Sequence, residues 1–401
     1  MVLHEGLRFN CVVEEVELDV LELRTQLAKL TDLHVGQPNT SHRVELIRNV
    51  LENIASAGER LKNTLFKNSS SASRLTQKLV GSTVGIPSCT FYHTADSIHI
   101  PWGLLFDRPK SGRSPADWET LSDTELADGF WCKKFDLTSL YTSSNSTTAA
   151  PDAGRLQLED KYILGLIHMR ARLLAVGSDV SAPWLDVSWP KESMFTNSSL
   201  RPRIEDRLNK TEPILLYFFG HSSNGELHID DSHEPVLTPS QLRGLCADPR
   251  TRPGIFILNG CGTFATQVVE GNDLTTGIRL NWPSVINECG FHGLVGTEAK
   301  VPTRFAWALG RDLLYLMLVR GLSPAIALRE LRSKHWPLSL LYGLYCDPRI
   351  AFSSTVAFLE ESASEANYCD LVYSDQLDDS SDQDFRVLPF EGAKARRKSR
   401  L

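Results

Sequence analysis

The sequence predicts an α/β protein: a mostly parallel sheet flanked by helices, preceded by an N-terminal helical hairpin. Three observations lead there. Ile214-Leu215-Leu216-Tyr217-Phe218-Phe219 and Gly254-Ile255-Phe256-Ile257-Leu258-Asn259 run apolar without alternation, the pattern of strands buried on both faces. From residue 213 onward such runs alternate with amphipathic segments, strand then helix three times over, as an open parallel sheet covered on both sides requires. Residues 13 to 66 instead repeat apolar side chains every three or four positions.

Taken in order, Val16, Val20, Leu23, Leu27 and Leu30 define a first helix, and Gly36-Gln37-Pro38-Asn39 a turn. A second helix runs from about Ser41, its N-cap, with Val44, Leu46, Ile47, Val50, Leu51 and Ile54 on its apolar side. Ser69 to Ser73 is a polar break. Ser88 to His93 and Ser97 to Ile100 read as two short strands around Thr94-Ala95-Asp96, and Pro101 opens a short helix to Phe106. Residues 107 to 127 are loop-like, Phe130 to Leu137 reads as a strand, Thr142 to Gly154 as a Ser/Thr-rich loop and Leu156 to Val176 as a helix. Beyond the strand at 214–219, Leu237 to Ala247 is helical, with Thr238 as N-cap and Pro239 in the first helical position. After the strand at 254–259 come a helix from Leu274 to Cys289, a strand from Gly293 to Thr297, a helix from Val301 to Arg320 and another from Ser323-Pro324 to Lys334. From about residue 359 the chain turns acidic and Ser-rich, then basic at Lys394, Arg396, Arg397, Lys398 and Arg400, the composition of a disordered tail. The expected organisation is a helical region over 1–75, a catalytic-type α/β domain over 76–358 and a tail over 359–401.

Composition narrows the function. The 401 residues are 42% hydrophobic and 23% charged, as in soluble globular proteins. The net charge of -7 argues against a nucleic-acid binder. No apolar run reaches the ~18 residues of a membrane helix. Met1-Val2-Leu3-His4-Glu5-Gly6 has no basic start leading into an apolar stretch, so a cytoplasmic location is expected. The 8 cysteines form no C-x-x-C pair and are expected as free thiols. His228, His233, Asp230 and Asp231 match no standard metal-ligand spacing, and neither G-x-x-x-x-G-K-[ST] nor G-x-G-x-x-G follows a strand, so no metal or cofactor is expected.

Reactive groups in open α/β sheets sit just past the carboxyl ends of strands. His221 follows the strand at 214–219 and Cys261 the strand at 254–259, each preceded by a glycine. About 40 residues with one helix between them suffice for a crossover that sets the strands side by side. A thiol with an ordinary pKa near 8.5 gains reactivity from a nearby imidazole, which can then protonate a leaving amine. The backbone amides of Ser222 and Cys261 are the natural donors to an oxyanion.

These residues reach a known family. Tyr217-Phe218-Phe219-Gly220-His221-Ser222-Ser223-Asn224-Gly225-Glu226-Leu227 resembles the histidine motif of CHAT domains, caspase-like peptidases often found with TPR repeats. Ile257-Leu258-Asn259-Gly260-Cys261-Gly262-Thr263 resembles their cysteine motif. Gly296-Thr297-Glu298, the helix with Phe305-Ala306, and Trp336-Pro337-Leu338 through Tyr342-Gly343-Leu344-Tyr345-Cys346-Asp347-Pro348 are similar to later landmarks, and His93 through Ile100-Pro101-Trp102 to the first hairpin. The resemblance runs from about residue 80 to 355. It implies a caspase/separase-type fold and a cysteine endopeptidase acting on protein substrates, with His221 and Cys261 as the dyad and the Ser222 and Cys261 amides as oxyanion donors. It further implies regulated activity, of the kind found in bacterial defence (antiviral defence included) or cell death, and an activating or sensor protein docking on the N-terminal helices.

Two departures bear on function. An acidic residue two before the nucleophile selects a basic P1 side chain in several caspase-clan enzymes. Asn259 stands there, so P1 is expected not to be held by a charge from that position, and Glu298 is the second pocket candidate. The family usually has glycine after the histidine, where this chain has Ser222. That substitution motivates the alternative, a pseudo-peptidase serving as a protein-binding module.

Overall fold

A computed structural model describes residues 13–34, 41–67, 88–94, 99–111, 114–142, 155–158, 163–167, 202, 204–206, 208, 214–223, 225–228, 235–246, 254–264, 267–269, 278–318, 320–346 and 350–354. The expected tail and nearly all of the loop from Thr142 to Gly154 lie outside them.

The N-terminal hairpin is present as α1 (Val13–His34) and α2 (Ser41–Phe66). Most apolar positions read from the sequence are its buried side: Val16, Val20, Leu23, Leu27 and Leu30 on α1, and Ile47, Leu51 and Ile54 on α2, whereas Leu46 and Val50 are only partly buried and Val44, expected on the apolar side, is 47% exposed. Gly58 lets α2 come close to the rest of the chain, since a Cβ there would lie 2.1 Å from the Leu104 carbonyl oxygen.

The strand β1 (Ser88–Thr94) is followed by a 3-10 turn at Trp102–Leu104, a small ladder of β2 (Lys110–Ser111) and β3 (Ser114–Pro115), the helices α3 (Asp123–Asp128) and α4 (Trp131–Lys134), and β4 (Asp136–Thr142). Three expectations are corrected here. β1 does not fold back on Ser97–Ile100; it pairs in parallel with β4, Phe91 opposite Ser139, while His99 and Ile100 are outside any strand and 95–98 outside the described residues. Residues 107 to 127 carry the small ladder and α3, whose Ser122–Glu125 capping box is a local helix signal. Phe130 to Leu137 divides into one helical turn and the start of β4, because Trp131, Phe135 and Phe130 are claimed by a buried aromatic cluster rather than by a strand face.

β5 (Arg155–Leu158) and β6 (Ile163–Ile167) replace the helix expected over Leu156 to Val176. A short apolar run such as Ile163-Leu164-Gly165-Leu166-Ile167 cannot be assigned by periodicity, and here a place beside β7 decides it. Residues 168 to 176 are outside the described ones.

Next come β7 (Ile214–Phe219), β8 (His221–Ser223), β9 (Glu226–His228), α5 (Pro239–Leu245) and β10 (Gly254–Asn259). The expected N-cap of α5 is observed: Thr238 and Gln241 form a capping box with Pro239 at the helix start. β11 (Gln267–Val269) and β12 (Ile278–Leu280) pair antiparallel, and α6 (Trp282–Glu288) follows. The helix expected from Leu274 therefore begins only after Asn281, whose side chain caps the Ser284 amide. β13 (Gly293–Thr297), α7 (Thr303–Leu318), α8 (Pro324–Lys334, capped by Ser323), β14 (Tyr342–Cys346) and β15 (Ala351–Ser354) complete the order.

The main sheet has five strands in the order β14-β13-β10-β7-β6. Pairing is parallel from β13 to β6, and β14 runs antiparallel to β13. Successive residues of a strand point to opposite faces, and the core divides accordingly. Leu215, Tyr217, Phe219, Ile255, Ile257 and Val295 join α7, α8 and the N-terminal hairpin in one cluster. Ile214, Leu216, Phe218, Phe256, Leu258 and Leu294 join α5 and α6 in the other. Both faces being covered, the strands are apolar throughout. Among the described residues no helix is long and apolar enough to cross a membrane.

Candidate active site

β7 and β10 lie in register, with Asn259 opposite Phe219. Parallel neighbours sit about 4.8 Å apart. The two chains therefore leave the sheet side by side, into Gly220-His221 and Gly260-Cys261, and the Gly220 amide donates to the Asn259 carbonyl at 3.4 Å. Gly260 suits this closeness: a Cβ there would lie 3.1 Å from both the Phe218 ring and the Ser222 Cβ, and 3.2 Å from the Gly220 oxygen, a tight fit.

In β8 the side chains alternate: His221 and Ser223 are exposed, and Ser222 is buried between them. His221 pairs across β8–β9 with His228, their ring centroids 6.2 Å apart. His228 is 8% exposed, with its Nε2 3.8 Å from Glu226. His233, Asp230 and Asp231 lie outside the described residues, among which no group of three or more His, Cys, Asp or Glu side chains gathers as a metal site.

Cys261 is half-buried. Its thiol donates weakly to the Val301 carbonyl at 4.0 Å, its one hydrogen-bond partner among the described residues. The structure thus brings His221 and Cys261 to adjacent strand ends, with the thiol turned to Val301 in this conformation. Ser222 lies in extended backbone, which serine adopts as readily as glycine. Opposite it, Leu227 spends its amide on Leu237 and its carbonyl on Val236. Ser222–Leu227 is therefore a non-hydrogen-bonded pair, and the Ser222 amide points away from β9.

The turn after Cys261 is clamped onto the end of β13. Gly262 takes φ +59, a left-handed conformation natural to glycine, and its amide donates to the Ala299 carbonyl at 3.0 Å. Thr263 and Thr297 exchange bonds: the Thr297 amide donates to Thr263 Oγ1 at 2.8 Å, and the Thr263 amide to Thr297 Oγ1 at 3.2 Å. Thr297 Oγ1 also donates to the Gly260 carbonyl. Phe264 drops into a socket beside the rings of His99 and Tyr345. Gly296 and Gly343 make that socket, since a Cβ at either would meet the Phe264 ring at 2.8 and 2.5 Å.

Neither pocket candidate is open. Asn259 is 1% exposed; its amide nitrogen donates to the Ala306 carbonyl at 2.6 Å and the Tyr217 hydroxyl at 3.1 Å, and its oxygen accepts from the Tyr342 hydroxyl at 2.5 Å. Burial pushes the Tyr217 and Tyr342 hydroxyls well up, so both are neutral, Tyr217 accepting from Asn259 and Tyr342 donating to it. Gly310 lets α7 approach this network, as a Cβ there would lie 2.6 Å from Asn259 Nδ2. Glu298 is 4% exposed and bonded to His99 Nε2 at 2.6 Å and to Arg24 at 3.4 Å. Burial alone would raise its carboxyl pKa, but His99 and Arg24 hold it below the ordinary value. Burial pushes the His99 pKa down against the opposing pull of Glu298; Nε2 is hydrogen-bonded to Glu298 and Nδ1 to the Tyr345 hydroxyl. A small cavity beside them, about 20 Å³, is lined by His99, Trp102, Arg332 and Tyr342 among others.

Sequence reasoning missed the Thr263–Thr297 exchange, the Phe264 socket and the two tyrosines that hold Asn259. Tyr217 offered a signal: a tyrosine inside an otherwise apolar strand needs a partner for its hydroxyl. A half-buried thiol and an exposed imidazole at neighbouring strand ends, with backbone amides beside them, are the groups that acyl transfer through a covalent thioester uses.

No family model matches the sequence, and no curated protein does. Among solved structures the chain is similar to the Saccharomyces cerevisiae separase–securin complex. In the 2.6 angstrom crystal structure the TM-score is 0.41 at 12% identity over 85% of this chain, and in the 3.0 angstrom structure it is 0.44 at 12% identity over 84%. The chain spans about a quarter of those chains, 23% and 27%.

Proposed function

We propose that the chain is a caspase-like cysteine endopeptidase of the CHAT type. Cys261 attacks the carbonyl carbon of a peptide bond, and its proton passes to His221. The Ser222 and Cys261 amides hold the oxyanion of the tetrahedral intermediate. Its collapse expels the amine, protonated by His221, and leaves a thioester on Cys261. Water, deprotonated by His221, hydrolyses the thioester and restores the thiol. The observation that carries this is the register of β7 with β10, which sets two glycine-preceded reactive residues at neighbouring carboxyl ends of the sheet. The extended backbone at Ser222, which serine adopts without strain, supports this reading.

The substrates proposed are proteins, and control of the activity is assigned to the N-terminal hairpin. A place in bacterial defence or cell death comes from the motif resemblance alone. With Asn259 and Glu298 engaged by their neighbours, P1 recognition falls to other groups.

A second reading, a pseudo-peptidase used for binding, is favoured by one observation: the Cys261 thiol faces the Val301 carbonyl rather than His221. Sub-stoichiometric iodoacetamide labelling near neutral pH, mapped by mass spectrometry, separates the two. In a peptidase Cys261 labels first and loses that lead in His221→Ala. In a pseudo-peptidase Cys261 labels no faster than the other thiols and His221→Ala changes nothing.

A further inference from the structure

The helix α1 does more than cover the core. Among its buried Val20, Leu23, Leu27 and Leu30 it presents two polar donors seven residues apart, Arg24 and Thr31. Two helical turns separate them, about 10 Å along the axis, so they share one side. Arg24 donates to the Phe264 carbonyl at 3.1 Å and pairs with Glu298 at 3.4 Å. Thr31 Oγ1 donates to the Lys300 carbonyl at 2.7 Å.

Both carbonyls belong to the segments that frame Cys261. Phe264 closes the turn 261–264, and Lys300 precedes Val301, whose carbonyl receives the thiol. The two segments are laced together through Gly262–Ala299 and Thr263–Thr297. Helix α1 grips each of them at a backbone acceptor. An α-helix keeps its donors at fixed spacing, so neither segment can shift along the other without breaking a bond to α1.

We propose that Arg24 and Thr31 are positioning residues for Cys261. Helix α1 braces the turn 261–264 and the segment 298–301 in the arrangement that presents the thiol, so activity depends on the docking of the N-terminal hairpin. This deepens the function proposed above and rests on Cys261 being the nucleophile. The control it describes runs through α1 into the cysteine turn, with no side chain of the hairpin touching substrate.

The test follows the rate of iodoacetamide alkylation at each cysteine, across about pH 5.5 to 9, in the full chain and in Arg24→Ala, Arg24→Lys, Thr31→Val and His221→Ala. Losing one shielded bond is expected to slow Cys261 about tenfold at neutral pH. Arg24→Lys, which keeps the charge but shortens the reach of the nitrogen that serves both acceptors, recovers part of the rate. Cys89 is the internal reference, since burial pushes its thiol up to about 11, and Cys132 and Cys289 are buried. A merely structural role would loosen the fold and speed labelling at those three, whereas a positioning role slows Cys261 and leaves them unchanged. Wild-type labelling of Cys261 in the folded variants, or a gain at the buried thiols in step with a loss at Cys261, overturns the proposal. If Arg24→Ala does not fold, Thr31→Val and Arg24→Lys carry the test. His221→Ala reports on the nucleophile separately. If it leaves Cys261 unchanged, the peptidase assignment fails; if it slows Cys261 while the α1 variants do not, that assignment stands and the brace falls.

Discussion

Asn259→Asp separates a structural role from a substrate-selecting one at the position two residues before Cys261. The wild-type carboxamide is 1% exposed and makes three hydrogen bonds, donating to Ala306 and Tyr217 and accepting from Tyr342. An ionised carboxylate has no donor. The Tyr217 hydroxyl can turn to donate, but the Ala306 carbonyl, 2.6 Å from the lost amide, would face a second oxygen. An unpaired buried carbonyl costs about 1–3 kcal/mol, and the poorly paired buried charge raises the total to about 3–5 kcal/mol at pH 7. Burial and that carbonyl disfavour the charged form, so the new carboxyl has a folded pKa above its unfolded value near 3.9. The variant therefore loses least below about pH 4, and its deficit grows as pH rises through the unfolded and then the folded pKa. Urea unfolding at about pH 4 and pH 7, with fluorogenic peptides carrying Arg, Asp, Leu or Gly at P1, checks both halves. The expected result is a larger drop in midpoint at the higher pH with P1 preference unchanged. Wild-type stability at pH 7 together with a new preference for Arg would show that residue 259 faces substrate.

Thr297→Val removes the hydroxyl that binds Gly260 and Thr263, and should cost about 1–3 kcal/mol in urea unfolding while slowing Cys261 alkylation about tenfold. Gly343→Ala places a methyl 2.5 Å from the Phe264 ring and 2.9 Å from Glu298, so about 1–3 kcal/mol of stability should be lost, whereas Gly244→Ala, in helix α5 with nothing within 4 Å of its Cβ, should gain about 0.5–1 kcal/mol. Burial alone would raise the Asp312 carboxyl pKa, but the His335 bond and the charges of Lys334 and Arg311 hold it well below the ordinary range. Its stabilisation is thus full above the unfolded value near 4 and lost as pH falls below it, so Asp312→Asn should cost about 2 kcal/mol at pH 7 and progressively less in melts taken below about pH 4.

The parts of the site legible in the sequence are those that local pattern encodes. A strand buried on both faces is a short uninterrupted apolar run, and a glycine followed by a reactive residue marks where it leaves the sheet, so His221 and Cys261 could be placed from their own neighbours. Caps are similarly local, as at Thr238 and Ser323. The supporting shell is not local. Thr263 meets Thr297 across 34 residues, Asn259 meets Tyr342 across 83, and Glu298 meets Arg24 across 274. Residue spacing carries no record of such pairs. One misassignment has a general cause: a short apolar stretch such as Ile163–Ile167 fits a helix or a strand equally until a neighbouring strand chooses. Position two residues before Cys261, or at the end of the next strand, brings Asn259 and Glu298 near the site but carries no record of the partners that already occupy them.

The long separation between α1 and its acceptors also has a meaning in time. Arg24 and Thr31 leave the ribosome far ahead of Phe264, Glu298 and Lys300, by 240 to 274 residues. At about 5–20 residues per second that interval is roughly 12 to 55 s. Throughout it the apolar side of α1 has α2 for company but not the two segments it will grip. The histidine strand, the cysteine strand and β13 must all be synthesised before the brace can close. A nascent chain therefore carries Cys261 before the segment 298–301 that α1 grips exists, and the brace closes only after most of the domain has been made.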